Sequence, residues 1–72
     1  MNRVLILFPD NKIFFLLSRP VSAAKKFIEN SSGLKLKKLK ERADGILYYI
    51  KCKSENEIDN IIYKISEASY NR

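Results

Sequence analysis

The chain has 72 residues, with 14 basic against 8 acidic side chains, one Cys, no His and no Trp. A domain this small buries only about 60% of the surface its unfolded form exposes, and its core supplies at most roughly 3–5 kcal/mol of net stability. A lone cysteine excludes an internal disulfide, and the lack of His excludes His-based relays and the usual zinc and haem patterns, so no cofactor is expected.

At 46% hydrophobic and 31% charged residues the composition is that of a folded domain. A net charge of +6 points toward nucleic acid, anionic membrane or acidic protein partners. Part of the lysine excess also follows the Lys, Ile and Asn richness of AT-rich coding sequence, as in phages and mobile elements. Met1-Asn2-Arg3 followed by Val4–Phe8 imitates the start of a signal peptide. The apolar run breaks at Pro9-Asp10-Asn11-Lys12, too early for a leader or a membrane span. A cytoplasmic protein without membrane attachment is expected.

Val4–Phe8 and Ile13–Leu17 are two apolar runs around a turn cluster. Asp10-Asn11 as a two-residue type I′ loop would pair Phe8 with Ile13, Ile6 with Phe15 and Val4 with Leu17 on one face. Leu7 with Phe14 and Leu5 with Leu16 would occupy the other. Both faces are apolar, as in strands covered on two sides. A helix is predicted from Ser18-Arg19-Pro20, with Pro20 in its first turn and Val21, Ala24 and Ile28 on its inner stripe. Phe27 lies at the margin, Lys25, Lys26 and Glu29 point to water, and Asn30-Ser31-Ser32-Gly33 stops the helix.

Residues 34–43 admit two readings. Leu36, Leu39 and Ala43 are spaced as on a helix, and every residue nearby is a good helix former. Asp44-Gly45 is a hairpin signal, however, and Ile46–Ile50 reads as a strand, so a partner strand before the turn is preferred. Ser54-Glu55-Asn56-Glu57 is a capping box opening a helix whose inner stripe is Ile58, Ile61, Ile62, Ile65 and Ala68. Tyr63 and Tyr70 share a different side of it. The predicted fold is therefore α+β, a single domain over 1–72 of order ββαββα. Four mainly antiparallel strands carry two helices on one face, and 1–33 and 34–72 form two ββα units.

Charge is segregated: residues 1–33 sum to +3, 34–53 to +5 and 54–72 to −2. With Asp44-Gly45 as the loop, Arg42, Lys40 and Lys38 fall opposite Leu47, Tyr49 and Lys51 on one face. Ala43, Leu39, Ile46, Tyr48 and Ile50 turn to the core. Cations at every second residue around an exposed Tyr suit a phosphate backbone, with the ring as a stacking platform. Lys38, Lys40, Arg42, Tyr49 and Lys51 are the candidate nucleic-acid contacts; the structural alternative is a lysine-guarded edge strand. Cys52 reads as a small core filler. The scattered carboxylates form no paired-acid or metal cluster, and Gly33 and Gly45 form no phosphate-cradling loop. No small-molecule substrate and no enzyme activity are expected, a His-free ribonuclease being the residual alternative.

Two functions of different class follow. One is a small binding protein that contacts RNA or DNA sequence-tolerantly through residues 34–53. The other is a protein-interaction module, such as a phage- or mobile-element-encoded regulator, with Phe14, Phe15, Tyr63 and Tyr70 as its contacts. Two helices cover only one face of the sheet, so one set of first-hairpin side chains is left for a homodimer or a protein partner to bury.

Overall fold

The computed structural model describes residues 2–70. The first apolar run forms β1 (Arg3–Leu7), passes through a short 3₁₀ turn at Phe8–Asp10 and returns as β2 (Lys12–Ser18). Helix α1 (Ser22–Ser32) follows, then β3 (Lys37–Glu41), β4 (Gly45–Lys51) and α2 (Glu55–Tyr70). Residues 37–41 are thus strand and not helix. All ladders are antiparallel and the sheet order is β1-β2-β4-β3. The fold is α+β with the order ββαββα. Exchanging the two ββα units leaves this strand order unchanged. Lys12 to Gly45 and Ser22 to Glu55, the starts of corresponding elements, are both steps of 33 residues.

The first hairpin keeps its expected faces but not its expected register. Leu7 pairs with Lys12, Ile6 with Ile13, Leu5 with Phe14 and Val4 with Phe15, leaving residues 8–11 as a four-residue loop. The tighter loop would have set Pro9 opposite Lys12, where proline has no N–H to give the ladder. Within that loop Asn11 alone takes the left-handed conformation, with φ 52°. Phe8, expected opposite Ile13, belongs to the turn. A slip of two residues preserves the side each residue faces. Ile13, Phe15 and Leu17 accordingly remain in the core.

The second hairpin turns one residue early. The Arg42 N–H donates to the Gly45 carbonyl at 2.8 Å, so Ala43-Asp44 is the loop and Gly45 begins β4. Gly45 is required by the strand beside it. A Cβ there would lie 2.6 Å from the Leu17 carbonyl oxygen on β2.

The core lies between one sheet face and both helices. It joins Ile13, Phe15 and Leu17 of β2 to Ile46, Tyr48 and Ile50 of β4, with Ile28 from α1 and Ile58 and Ile61 from α2. Val21, Ala24, Phe27, Ile62 and Ile65 pack around this centre. Cys52 is a buried filler whose thiol pKa is raised by burial and by the Glu57 carboxylate. Leu39 and Ala43 depart from expectation: both are exposed, Leu39 by 55%, and Leu36 takes the core position. The register of β3, described below, is the reason.

Helix ends follow local chemistry. α1 begins after Val21 without a side-chain cap, and Pro20, joined to Arg19 by a cis peptide bond, precedes the helix instead of opening it. Gly33 closes α1 at φ 76°, its N–H donating to the Glu29 carbonyl. At α2, Ser54 Oγ accepts the Glu57 N–H at 3.3 Å, while Glu57 Oε1 reaches back to the Lys53 N–H at 3.1 Å.

Gly45→Ala is expected to destabilise the fold by about 1–3 kcal/mol, the usual range for an overpacked site. For a domain of this size that lowers the melting temperature by roughly 4–8 °C per kcal/mol. Gly33→Asn should cost less than Gly45→Ala, since nothing lies within 4 Å of a Cβ there and Asn bears left-handed φ with less strain than other side chains. Thermal melts of the two variants check the pair.

Candidate nucleic-acid interface

Because both helices pack on one side, the other face of the sheet is open. Alternation along the strands determines what it presents. From β2 come Lys12, Phe14 and Leu16, and from β4 their partners Lys51, Tyr49 and Leu47. β1 adds Arg3, Leu5 and Leu7. The outer strand β3 adds Lys37 opposite Tyr49 and Lys40 opposite Leu47. Among the described residues no Asp or Glu occupies a strand position on this face.

The two central strands carry the aromatic pair. The Phe14 and Tyr49 ring centroids are 6.3 Å apart with planes inclined at 40°, a tilted contact that leaves both rings half-buried. The Lys12 ammonium sits 5.5 Å from the Tyr49 centroid, within cation–π range. Lys12 and Lys51 face each other directly across the ladder, a like-charge opposition that weakens a sheet unless an anion relieves it. Lys37 lies beside the same tyrosine on β3. Four lysines thus surround or flank a two-ring platform.

A β-bulge divides the expected cluster. Glu41 pairs with Ile46 and Lys40 with Leu47, but Lys38 pairs with Tyr48 and Lys37 with Tyr49, leaving Leu39 as the extra residue. Past the bulge the alternation changes phase. Lys40, Tyr49 and Lys51 share the open face as expected. Lys38 turns to the helix side, where it donates to Glu41 Oε1 at 3.1 Å. Arg42 falls in the turn beyond the last strand pair, at the opposite end of β4 from Lys51. Lys12, Lys37 and Phe14 complete the site. In the sequence Phe14 reads only as a protein contact, Lys37 only as part of the basic 34–53 segment, and Lys12 as neither. Lys12 was legible, since it stands two residues before Phe14 and so shares its face.

The acids concentrate elsewhere. Glu41 also accepts from Arg19 Nη2 at 2.6 Å, and Arg19 Nε donates to the Arg42 carbonyl, clamping the second turn. Those contacts, Arg19 first and then Lys38, hold the Glu41 carboxyl below its ordinary pKa of 4.5. Glu29 and Lys25, expected in water, are half-buried. Glu29 Oε2 accepts the Leu36 N–H at 2.8 Å, which with Lys25 at 3.7 Å lowers its pKa as well. Lys25 also lies 5.7 Å from the Tyr48 ring centroid.

Of the expected protein contacts, Phe15 is 1% exposed and belongs to the core, which removes it from any surface role. Tyr63 and Tyr70 are exposed on α2, Tyr70 by 91%, and neither joins the open face. A hydrogen bond to Glu67 raises the Tyr63 pKa. Phe14 is the one of the four on the open face. It lines a groove of about 560 Å³ with Arg3, Val4, Leu5, Leu7, Leu16 and Leu47. The uncovered first-hairpin set is therefore Leu5, Leu7, Phe14 and Leu16. Each aliphatic side chain left in water forgoes on the order of 1.5–3 kcal/mol of burial. The open face is half basic and half apolar.

No family model, curated protein or solved structure matches the chain. Among the described residues no helix is long and apolar enough to cross a membrane.

The two depressed carboxyls give a pH dependence. Their stabilising contacts are fully present above the unfolded pKa near 4.5 and are lost as pH falls through the lower folded values. Melting temperature should therefore fall as pH is lowered from 5 to 3. The double variant E29Q/E41Q should show a shallower fall across that window; an unchanged slope would mean that other groups govern it.

Proposed function

We propose that this protein is a non-enzymatic, sequence-tolerant nucleic-acid-binding protein that takes single-stranded RNA or DNA on its open sheet face. The observation that carries the reading is the Phe14–Tyr49 pair on the two central strands, with Lys12 over the Tyr49 ring and Lys12 opposed to Lys51. Unstacked bases need flat apolar partners, and every base has a π-face, so two rings offer affinity without sequence choice. The phosphates need cations beside those rings. Lys12, Lys37, Lys40 and Lys51 supply them on a face whose strand positions hold no carboxylate. The opposed Lys12 and Lys51 charges give binding a further source of free energy, since a phosphate between them replaces repulsion with attraction. A double helix presents its bases edge-on within grooves and leaves such rings without a stacking partner, so single strands are the preferred substrate. The apolar groove beside the rings supports a second reading, a regulator that occupies a host protein surface in the cytoplasm.

Fluorescence anisotropy with a labelled oligo-dT or oligo-U at low salt tests the first reading. Four phosphate contacts on a single strand should make log affinity fall against log salt with a slope of about −3, from roughly 0.7 per contact. K12A/K51A should reduce that slope by about 1.4. Phe14→Ala and Tyr49→Ala should each weaken binding by about 1–3 kcal/mol with little change in slope. Lys38→Ala should change neither, because that side chain faces the helix side. Absence of binding at low salt, or equal loss from Lys38→Ala and K12A/K51A, would overturn the reading in favour of the protein-partner alternative.

A further inference from the structure

We infer that a second copy of this chain pairs with β1 edge to edge, in antiparallel register about Leu5, to make one continuous eight-stranded sheet. The two edges of the sheet are built differently. β3 has Lys37, Lys38, Lys40 and Glu41 in its five residues and is interrupted by a bulge, devices that keep other strands away. β1 has no bulge and a single charge, Arg3 at its start. Its sequence is Arg-Val-Leu-Ile-Leu in unbroken register with β2, so its outer N–H and C=O groups form a regular template flanked by apolar side chains.

β1 is also poorly buried by its own chain. Val4, directed to the helix side, is 56% exposed, and Leu5, on the open face, is 63% exposed. Exposure on both faces of one strand is what a missing neighbour strand produces. A ligand in the open-face groove, or a face-to-face dimer, would cover Leu5 and leave the outward backbone N–H and C=O groups of β1 unpaired. An adjoining strand covers Leu5 and pairs those groups.

The occupant follows from charge. The strand begins at Arg3, and the turn that follows it ends at Asp10. A parallel neighbour copy would place Arg3 beside Arg3. An antiparallel copy pairs Arg3 with Leu7, Val4 with Ile6 and Leu5 with itself, bringing the basic end of each strand alongside the other's acidic turn. The strand is therefore complementary to itself under a two-fold axis, the commonest closed symmetry. Such an axis stands perpendicular to the sheet. Both helical layers then lie on one side, and the two open faces join into a single surface with Lys12, Tyr49 and Lys51 of each copy on either flank.

Sedimentation equilibrium without nucleic acid tests the pairing independently of the proposed function. A mass of about twice the chain's 8.4 kDa is expected as concentration rises through the micromolar range. Leu5→Lys should give a monomer with the circular dichroism of the parent. Leu5→Cys should form an intermolecular disulfide under mild oxidation, because residues directly opposite in a ladder lie within disulfide reach. Arg3→Cys alone should not, whereas mixed Arg3→Cys and Leu7→Cys chains should cross-link as a heterodimer. The cysteine mapping decides the matter even if Leu5→Lys fails to fold. A parent that stays monomeric at hundreds of micromolar, or a dimer that cross-links through Arg3→Cys and not Leu5→Cys, would overturn the inference.

Discussion

The pairing of β2 with β4 is the constraint on which everything else rests. These two strands come from different halves of the chain, and their register runs unbroken from Lys12–Lys51 to Ser18–Gly45. On the helix side it sets Ile13, Phe15 and Leu17 beside Ile50, Tyr48 and Ile46, the floor on which both helices pack. On the other side the same register sets Phe14 beside Tyr49 and Lys12 beside Lys51. The core and the candidate site are opposite faces of one ladder. A slip of one residue would exchange them, putting lysines under the helices and isoleucines in water. The many isoleucines that would then lose their cover fix the register that aligns the rings.

Helix and strand identities were legible because several signals agreed locally. The Ser54–Glu57 cap and the isoleucine stripe after it marked α2, and Gly33 marked the end of α1. The faces of the first hairpin were legible too, since the error in its loop was an even number of residues and parity survived. Phase within β3 was not legible. Lys37, Lys38, Leu39 and Lys40 read as alternating strand, and no residue type among them signals that one is extra. What selects the bulge is tertiary: Leu36 is drawn under the helices and held by Glu29, while the turn at the other end is held by Arg19. Lys12 lies outside the basic 34–53 segment, and Lys37, within it, reaches the open face only through the bulge. The open face collects lysines from two hairpins.

The division of charge has a physical logic. The carboxylates of α2 near its N-terminus favour the positive end of the helix dipole, and Glu41 and Glu29 brace turns on the helix side. Acids are used as structural groups there. The open face, free of them in its strands, keeps an undivided positive potential over a flat surface. A domain with little stability to spare thereby separates what holds it together from what meets its surroundings.

The bulge at Leu39 carries a consequence for how this chain tolerates changes in length. Leu36 must face the core and Lys40 must face outward, yet four residues of regular strand would return both to the same side. β3 is therefore a splice between two strands of opposite phase, and Leu39 is the residue that reconciles them. Removing any one of the three residues between Leu36 and Lys40 would leave three steps of regular strand, which match the ladder and keep both anchors on their own sides. Adding one would leave two surplus residues to loop out, so this segment can shorten by a single residue more readily than it can grow.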